Sequence, residues 1–145
     1  MEQEPLPMQK YKIVHSQMGP YQVIKTLGTG GTSKVKLGLD TRTGRYVAIK
    51  ILNKGFLAKE FDQVQTEIDA LSACNHQNII EILDMMQDEP FVKPSGKTTK
   101  ETALVLELAP NGELIDYVIN TGRIAEPICR HIFKKLLLAL DHLHK

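Results

Sequence analysis

The chain is 145 residues long, 42% apolar and 24% charged, a globular composition with enough apolar material to bury a core. Eighteen Lys and Arg against 17 Asp and Glu leave a net charge of +1, which gives no argument for nucleic acid or an acidic membrane surface as a partner. No apolar run approaches the ~20 residues of a membrane span. The opening stretch, with Glu2, Glu4, Pro5 and Pro7, lacks the apolar core of a signal peptide, so the expectation is an intracellular chain. Cys74 and Cys129 lie 55 residues apart with no paired spacing and read as two ordinary buried thiols, neither a disulfide nor a zinc pattern.

Residues 1–19 are polar, proline-bearing and aperiodic, which predicts a mobile tail. From Tyr21 the pattern changes. Tyr21, Val23, Ile24 and Leu27 predict a strand, a glycine-rich turn follows, and Val35, Leu37 and Leu39 alternate as a second strand. Asp40-Thr41-Arg42-Thr43-Gly44 reads as a turn, and β-branched Val47, Ile49 and Ile51 mark a third strand over residues 45–52. Phe61, Val64, Ile68 and Leu71 then recur at intervals of 3, 4 and 3, one apolar face of a helix that ends near Ala73. Residues 79–86 and 102–108 predict two more strands. Between them residues 87–101, with Pro90, Pro94, Gly96 and three lysines, predict an exposed and mobile connection.

After Ala109-Pro110-Asn111-Gly112 the pattern is helical. Leu114, Ile115, Val118 and Ile119 predict a short helix closed by Thr121-Gly122, and Pro127 suits the first turn of another. Ile128, Ile132, Leu136, Leu140 and Leu143, flanked by Phe133 and Leu137, give an apolar stripe wide enough to need partners on several sides.

The residues that carry chemistry begin in the hairpin Leu27-Gly28-Thr29-Gly30-Gly31-Thr32-Ser33-Lys34-Val35. Gly28 and Gly30 let backbone N–H groups approach phosphate oxygens and permit φ values that other residues resist, although Gly-x-Gly alone fits an ordinary tight turn better. Lys50 closes the run Val47-Ala48-Ile49, 22 residues after Gly28; alone it would be a solvated lysine at a strand end. Glu67 follows 17 residues later, one position before the apolar face residue Ile68. Glu60 is a second acid near the helix start, where a carboxylate suits the helix dipole.

In this order the runs resemble the start of a eukaryotic-type protein kinase domain, from about Tyr21 to Lys145. The family pattern G-x-G-x-x-G-x-V is matched except at its third glycine, here Ser33. The resemblance implies that Gly28, Thr29, Gly30, Gly31, Thr32 and Ser33, together with Lys50, hold the phosphates of ATP, and that Glu67 pairs with Lys50. Ala103-Leu104-Val105-Leu106-Glu107-Leu108-Ala109 resembles the family's fifth strand entering the hinge. That implies Leu106 as the residue controlling pocket depth, with the Glu107 carbonyl and Ala109 amide on the adenine edge. Leu27, Val35, Ala48 and Leu106 would then form the apolar slot. Glu113 matches a ribose-binding position and suits a helix N-terminus equally well. Asn75-His76-Gln77-Asn78-Ile79-Ile80 resembles the H-x-N-I-I turn, with His76 tying the loop to its surroundings. The wording Thr43-Gly44-Arg45-Tyr46-Val47-Ala48-Ile49-Lys50 is similar to the calmodulin-dependent and AMP-activated-kinase-related Ser/Thr group.

The implied fold class is α+β. A kinase-like N-lobe, a five-stranded antiparallel sheet with one main helix, would cover residues 20–109, with 87–101 as an exposed insertion; residues 110–145 would begin a truncated helical C-lobe. The His-Arg-Asp and Asp-Phe-Gly runs that hold the catalytic acid and the Mg²⁺ ligands are not in the sequence, so the resemblance implies an ATP-binding part of a Ser/Thr kinase, inactive alone. ATP and Mg²⁺ would be its cofactors, with no metal ligand and no catalytic residue in this stretch, and a protein substrate engaged elsewhere. The rival is a non-catalytic truncated kinase or pseudokinase serving as a binding module. A dinucleotide-binding domain is excluded, because the glycine turn joins two antiparallel strands instead of a strand and a helix.

Overall fold

The computed structural model describes residues 16–145. Six strands, β1 (Gln17–Met18), β2 (Tyr21–Thr29), β3 (Ser33–Asp40), β4 (Tyr46–Leu52), β5 (Ile82–Val92) and β6 (Thr98–Glu107), form a closed antiparallel barrel in the order β1-β2-β3-β4-β6-β5. The helices are α1 (Lys54–Ser72), between β4 and β5, and then α2 (Leu114–Thr121) and α3 (Glu126–Leu143).

The sheet therefore differs from the five strands expected. The sixth is β1, which pairs with β2 through Met18 and Tyr21 and with β5 through Met18 and Phe91, closing the barrel. Residues 16–19 thus leave the expected tail, of which residues 1–15 lie outside the described residues. Gly19 supplies the reversal, at φ +54°, a left-handed value that glycine adopts without penalty. One apolar residue, Met18, is too short a signal to register as a period.

The second difference is residues 87–101. They form the upper half of a hairpin: β5 and β6 pair from Glu89↔Glu101 to Val92↔Thr98, and residues 93–97 make the turn with Gly96 at φ +82°. The prolines and the glycine suggested a loop, while a register shift between Met86 and Glu89, with Asp88 at φ +48°, hides the strand alternation. Phe91 points inward and is buried.

Met18, Tyr21, Val23, Val47, Ile49, Met86, Phe91, Ala103 and Val105 fill the barrel. Each large side chain so buried contributes gross transfer energy of about 1.5–3 kcal/mol, mostly offset by chain entropy. A polar network caps the core. The Tyr21 hydroxyl donates to Asp84 Oδ2 at 2.9 Å and accepts from Arg42 Nη2 at 3.0 Å, while Arg42 Nε donates to Asp40 Oδ1 at 3.0 Å. Burial, reinforced by the Asp84 carboxylate, pushes the Tyr21 hydroxyl up to about 12. The Arg42 hydrogen bonds hold Asp40 below the usual carboxylate range.

Outside the barrel, α1 lays Val64 and Ile68 against Leu52 and Leu104. It starts earlier than its periodicity, because the Asn53 side chain accepts the Gly55 N–H at 2.9 Å, and it kinks at Glu60 (φ −122°, ψ 23°). Phe61, expected on the apolar face, is 51% exposed beside that kink. Helix α3 is held to the loop after α1 by Asn78 Nδ2 donating to Lys135 O at 3.2 Å and by the His76 and His142 rings, 5.0 Å apart. Its stripe, including Phe133, Leu136 and Leu137, is exposed. For the same reason Cys129 is exposed, and Cys74 is half-buried; neither is the buried thiol expected.

Candidate functional site

Strand register assembles the site. Gly28 lies opposite Val35, Val35 opposite Lys50, and Lys50 opposite Leu104, a row across β2, β3, β4 and β6. The neighbouring row runs Leu37, Ala48, Leu106 and Ile82. Directly paired residues share a face, so Val35, Ala48, Lys50, Leu104 and Leu106 stand together on the side opposite the barrel interior. Helix α1 covers part of that face through Leu52 and Leu104. The arrangement is an apolar surface with one lysine set into it.

The hairpin tip joins β2 to β3 at the end of this row. Gly30 N–H donates to Ser33 O at 2.8 Å and closes the turn, leaving exposed Gly31 and Thr32 at the open end; Thr29 is exposed and Ser33 half-buried. Thr32 O accepts from Asn53 N–H at 2.9 Å, which ties the tip to the start of α1. None of Gly28, Gly30 and Gly31 has a left-handed φ, and a Cβ on Gly28 or Gly31 would meet nothing within 4 Å. The expectation that these glycines supply unusual φ values is thus corrected: what Gly28 and Gly31 leave here is open space. Leu27 sits at the lip, 46% exposed.

Other expected partners are placed differently. Lys50 is half-buried; Glu67 is exposed, one residue before buried Ile68. No salt bridge joins them, the three ion pairs among the described residues being Asp40–Arg42, Glu126–Arg130 and Asp141–Lys145. At the strand end, Glu107 N–H donates to Glu81 O at 2.9 Å and Glu107 Oε2 accepts from Glu81 N–H at 3.2 Å, fixing the start of the hinge. Leu106 packs partly buried against the α1 cluster, and Ala109 is exposed. Glu113 occupies the N-cap position of α2 without a capping bond, so the helix does not consume its carboxylate. Among the described residues no three His, Cys, Asp or Glu side chains converge as metal ligands, and no helix is long and apolar enough to cross a membrane.

Residues 21–145 match the family model for the protein kinase domain. The chain belongs to that family. This kinase chain is 36% identical over 124 residues to maternal embryonic leucine zipper kinase of Danio rerio, covering 86% of the chain and 17% of that protein. It is 36% identical over 132 residues to the carbon catabolite-derepressing protein kinase of Saccharomyces cerevisiae, covering 90% and 19%. To CBL-interacting protein kinase 9 of Oryza sativa subsp. japonica it is 32% identical over 131 residues, covering 89% and 26%. The chain therefore spans about a sixth to a quarter of the length of these relatives and is similar to the AMP-activated and calmodulin-dependent-related Ser/Thr kinase group.

Sequence reasoning missed the residues on the other side of β3. Lys34 and Lys36 alternate with Val35 and Leu37 and so stand on the opposite face of β3, Lys34 exposed and Lys36 half-buried.

Proposed function

We propose that this stretch is the ATP-binding part of a protein serine/threonine kinase, which transfers the γ-phosphate of ATP to a protein hydroxyl. The observation that carries the reading is the row Gly28–Val35–Lys50–Leu104: open space under the hairpin, an apolar strip and a half-buried cation in one line. Those features fit a nucleoside triphosphate. Val35, Ala48, Leu106 and Leu27 would enclose the base, with the Glu107 carbonyl and Ala109 amide on its edge, and Glu113 would take the ribose. Lys50 and the tip of residues 28–33 would hold the phosphates, with Glu67 orienting Lys50 after α1 moves inward. Mg²⁺, when bound, neutralises charge on the phosphates; no cluster of side chains in the described residues is assigned to it. Residues 110–145 would begin the second lobe. Having no His-Arg-Asp or Asp-Phe-Gly run, the 145-residue chain by itself binds nucleotide without transferring phosphate.

Exposed Glu67, unpaired with Lys50, favours one alternative, a non-catalytic kinase-like module. Thermal unfolding with and without ATP, in the presence and absence of Mg²⁺, tests both readings. At one hundred times Kd a ligand adds about 2.7 kcal/mol of stability, and Lys50→Met should remove most of the shift. An equal shift in wild type and variant refutes the phosphate role of Lys50; no shift in either favours the module. Peptide phosphorylation by the 145-residue chain that disappears in Lys50→Met would overturn the proposed inactivity.

A further inference from the structure

The interior face of the barrel is apolar in its core and carries lysines where it opens to solvent. On β3, Lys36 lies opposite Ile49 and Lys34 opposite Ile51, so both lysines stand on the interior side, away from Val35 and Lys50. Lys36 Nζ donates to Thr26 Oγ1 at 2.7 Å. The upper half of the β5–β6 hairpin, residues 87–101, expected as a loop, brings Phe91 and Lys93 over them. Together these residues line a cavity of about 770 Å³ with Val23, Ile51 and Phe91 among its apolar lining. Lys25 and Lys54 also line it. Glu101 is the acid in the lining, and among the described residues no salt bridge joins it to Lys34, Lys36 or Lys93.

Lys36 and Lys93 are half-buried and Lys34 is exposed; partial burial strips hydration from an ammonium, and like charges repel. Both effects show in Lys36, whose ammonium is held below the usual lysine range by burial first and by Lys34 and Lys93 after it. A bound anion would relieve both. The cavity also has the size of a small-ligand or side-chain site. Its apolar lining distinguishes the occupants: a free phosphate would leave Val23, Ile51 and Phe91 uncovered, and a flat bilayer surface would not reach into a concavity.

We propose that this cavity docks an acidic segment of a protein partner, its carboxylates meeting Lys34, Lys36 and Lys93 while an apolar side chain enters between Val23, Ile51 and Phe91. The lining also includes Thr29, Gly30 and Ser33, so the occupant touches the glycine hairpin from behind while nucleotide lies in front. The site is independent of whether the chain binds ATP.

The test is fluorescence anisotropy of a fluorescein-labelled peptide of alternating glutamate and phenylalanine, titrated with the 145-residue chain. Affinity should fall as salt rises. Lys36→Gln combined with Lys93→Gln should weaken it at least tenfold, whereas Lys134→Gln combined with Lys135→Gln should leave it within twofold. As a measurement on unaltered protein, carbodiimide coupling of the bound peptide should mark Lys34, Lys36 or Lys93. Equal affinity in the Lys36 and Lys93 variant, or coupling confined to other lysines, overturns the proposal. So does equally tight binding of a lysine–phenylalanine peptide, and so does Lys36-dependent binding seen only with orthophosphate or with phosphatidylserine vesicles.

Discussion

Replacing Gly38 with alanine would place a methyl where β3 runs over the side chains of β4. The added Cβ would stand 2.5 Å from Ile49 Cδ1, 3.1 Å from Ile49 Cγ1 and 3.3 Å from Val47 Cγ2. Carbon atoms rest at about 3.5–4.0 Å, so Ile49 must retreat by roughly 1 Å. It has nowhere to go: Ile49 is 0% and Val47 2% exposed. Overpacking of this kind costs about 1–3 kcal/mol. Gly38 does not have a left-handed φ, so alanine also restricts the unfolded chain and returns about 0.4–1 kcal/mol. The net is a destabilisation of about 1–2 kcal/mol, or a fall in Tm of roughly 3–8 °C at this size. Circular dichroism melts of Gly38→Ala, Ile49→Val and the double variant form the assay. Ile49→Val alone should cost about 0.5–1.5 kcal/mol, but it deletes the atom that the new methyl would strike. Contacts at 3.1 and 3.3 Å remain, so the double variant should lose clearly less than the sum of the two single losses. Strict additivity, or an unchanged melt for Gly38→Ala, would refute the packing argument.

Three further outcomes follow from the barrel. Asp40 has a folded value depressed below its ordinary 3.8, so its contribution is present above 3.8 and disappears as pH falls through the lower folded value. Asp40→Asn should lower Tm at neutral pH and flatten the acid limb of a Tm–pH curve; an unaltered limb would dismiss the Arg42 contact as a source of stability. Tyr21 is raised from 10.0 to about 12, so its contribution is complete below 10.0 and is lost as pH climbs to about 12. Tyr21→Phe should abolish that alkaline loss, and a wild-type melt that is flat over the interval would contradict it. Phe91→Ala should cost about 3–5 kcal/mol in denaturant titration, because Phe91 lies opposite Met18 and β1 in the closure; a cost below about 1 kcal/mol would show that the β5–β6 hairpin is dispensable.

The strands β2, β3 and β4 were legible because each carries several apolar residues at period two or a β-branched run, bounded by Gly and Thr turns. Helix α1 was legible at its end and not at its start, since Gly55 discourages a helix and only the Asn53 cap and the packing of Phe56 and Leu57 admit one. The lower halves of β5 and β6 were legible as two strands, while the upper half of the hairpin, residues 87–101, was illegible for a sharper reason. Pro90, Pro94 and Gly96 carry turn signals, and the Met86–Glu89 irregularity breaks the alternation that would have outweighed them. Motif spacing singled out Lys50 and Glu67 as an expected pair. Their separation depends on how α1 is rotated and kinked over β4, which no spacing along the chain encodes.

The geometry of the hairpin depends on a detail that composition conceals. Along β2 and β3 the pairing begins as Tyr21↔Asp40 and shifts twice, between Val23 and Lys25 and again between Thr26 and Gly28. Had the register of Thr26↔Lys36 continued, Val35 would lie opposite Leu27. The second shift puts Gly28 there instead and leaves Leu27 at the lip. A leucine in the row would fill the space beside Val35 that Gly28 keeps open, since a Cβ at Gly28 would touch nothing within 4 Å. The same shift brings Thr29 opposite Lys34, on the interior side. One irregularity in β2 therefore aligns both faces of β3, the apolar row with Lys50 and the lysines that line the cavity behind it. A substitution that straightened β2 would disturb the two together.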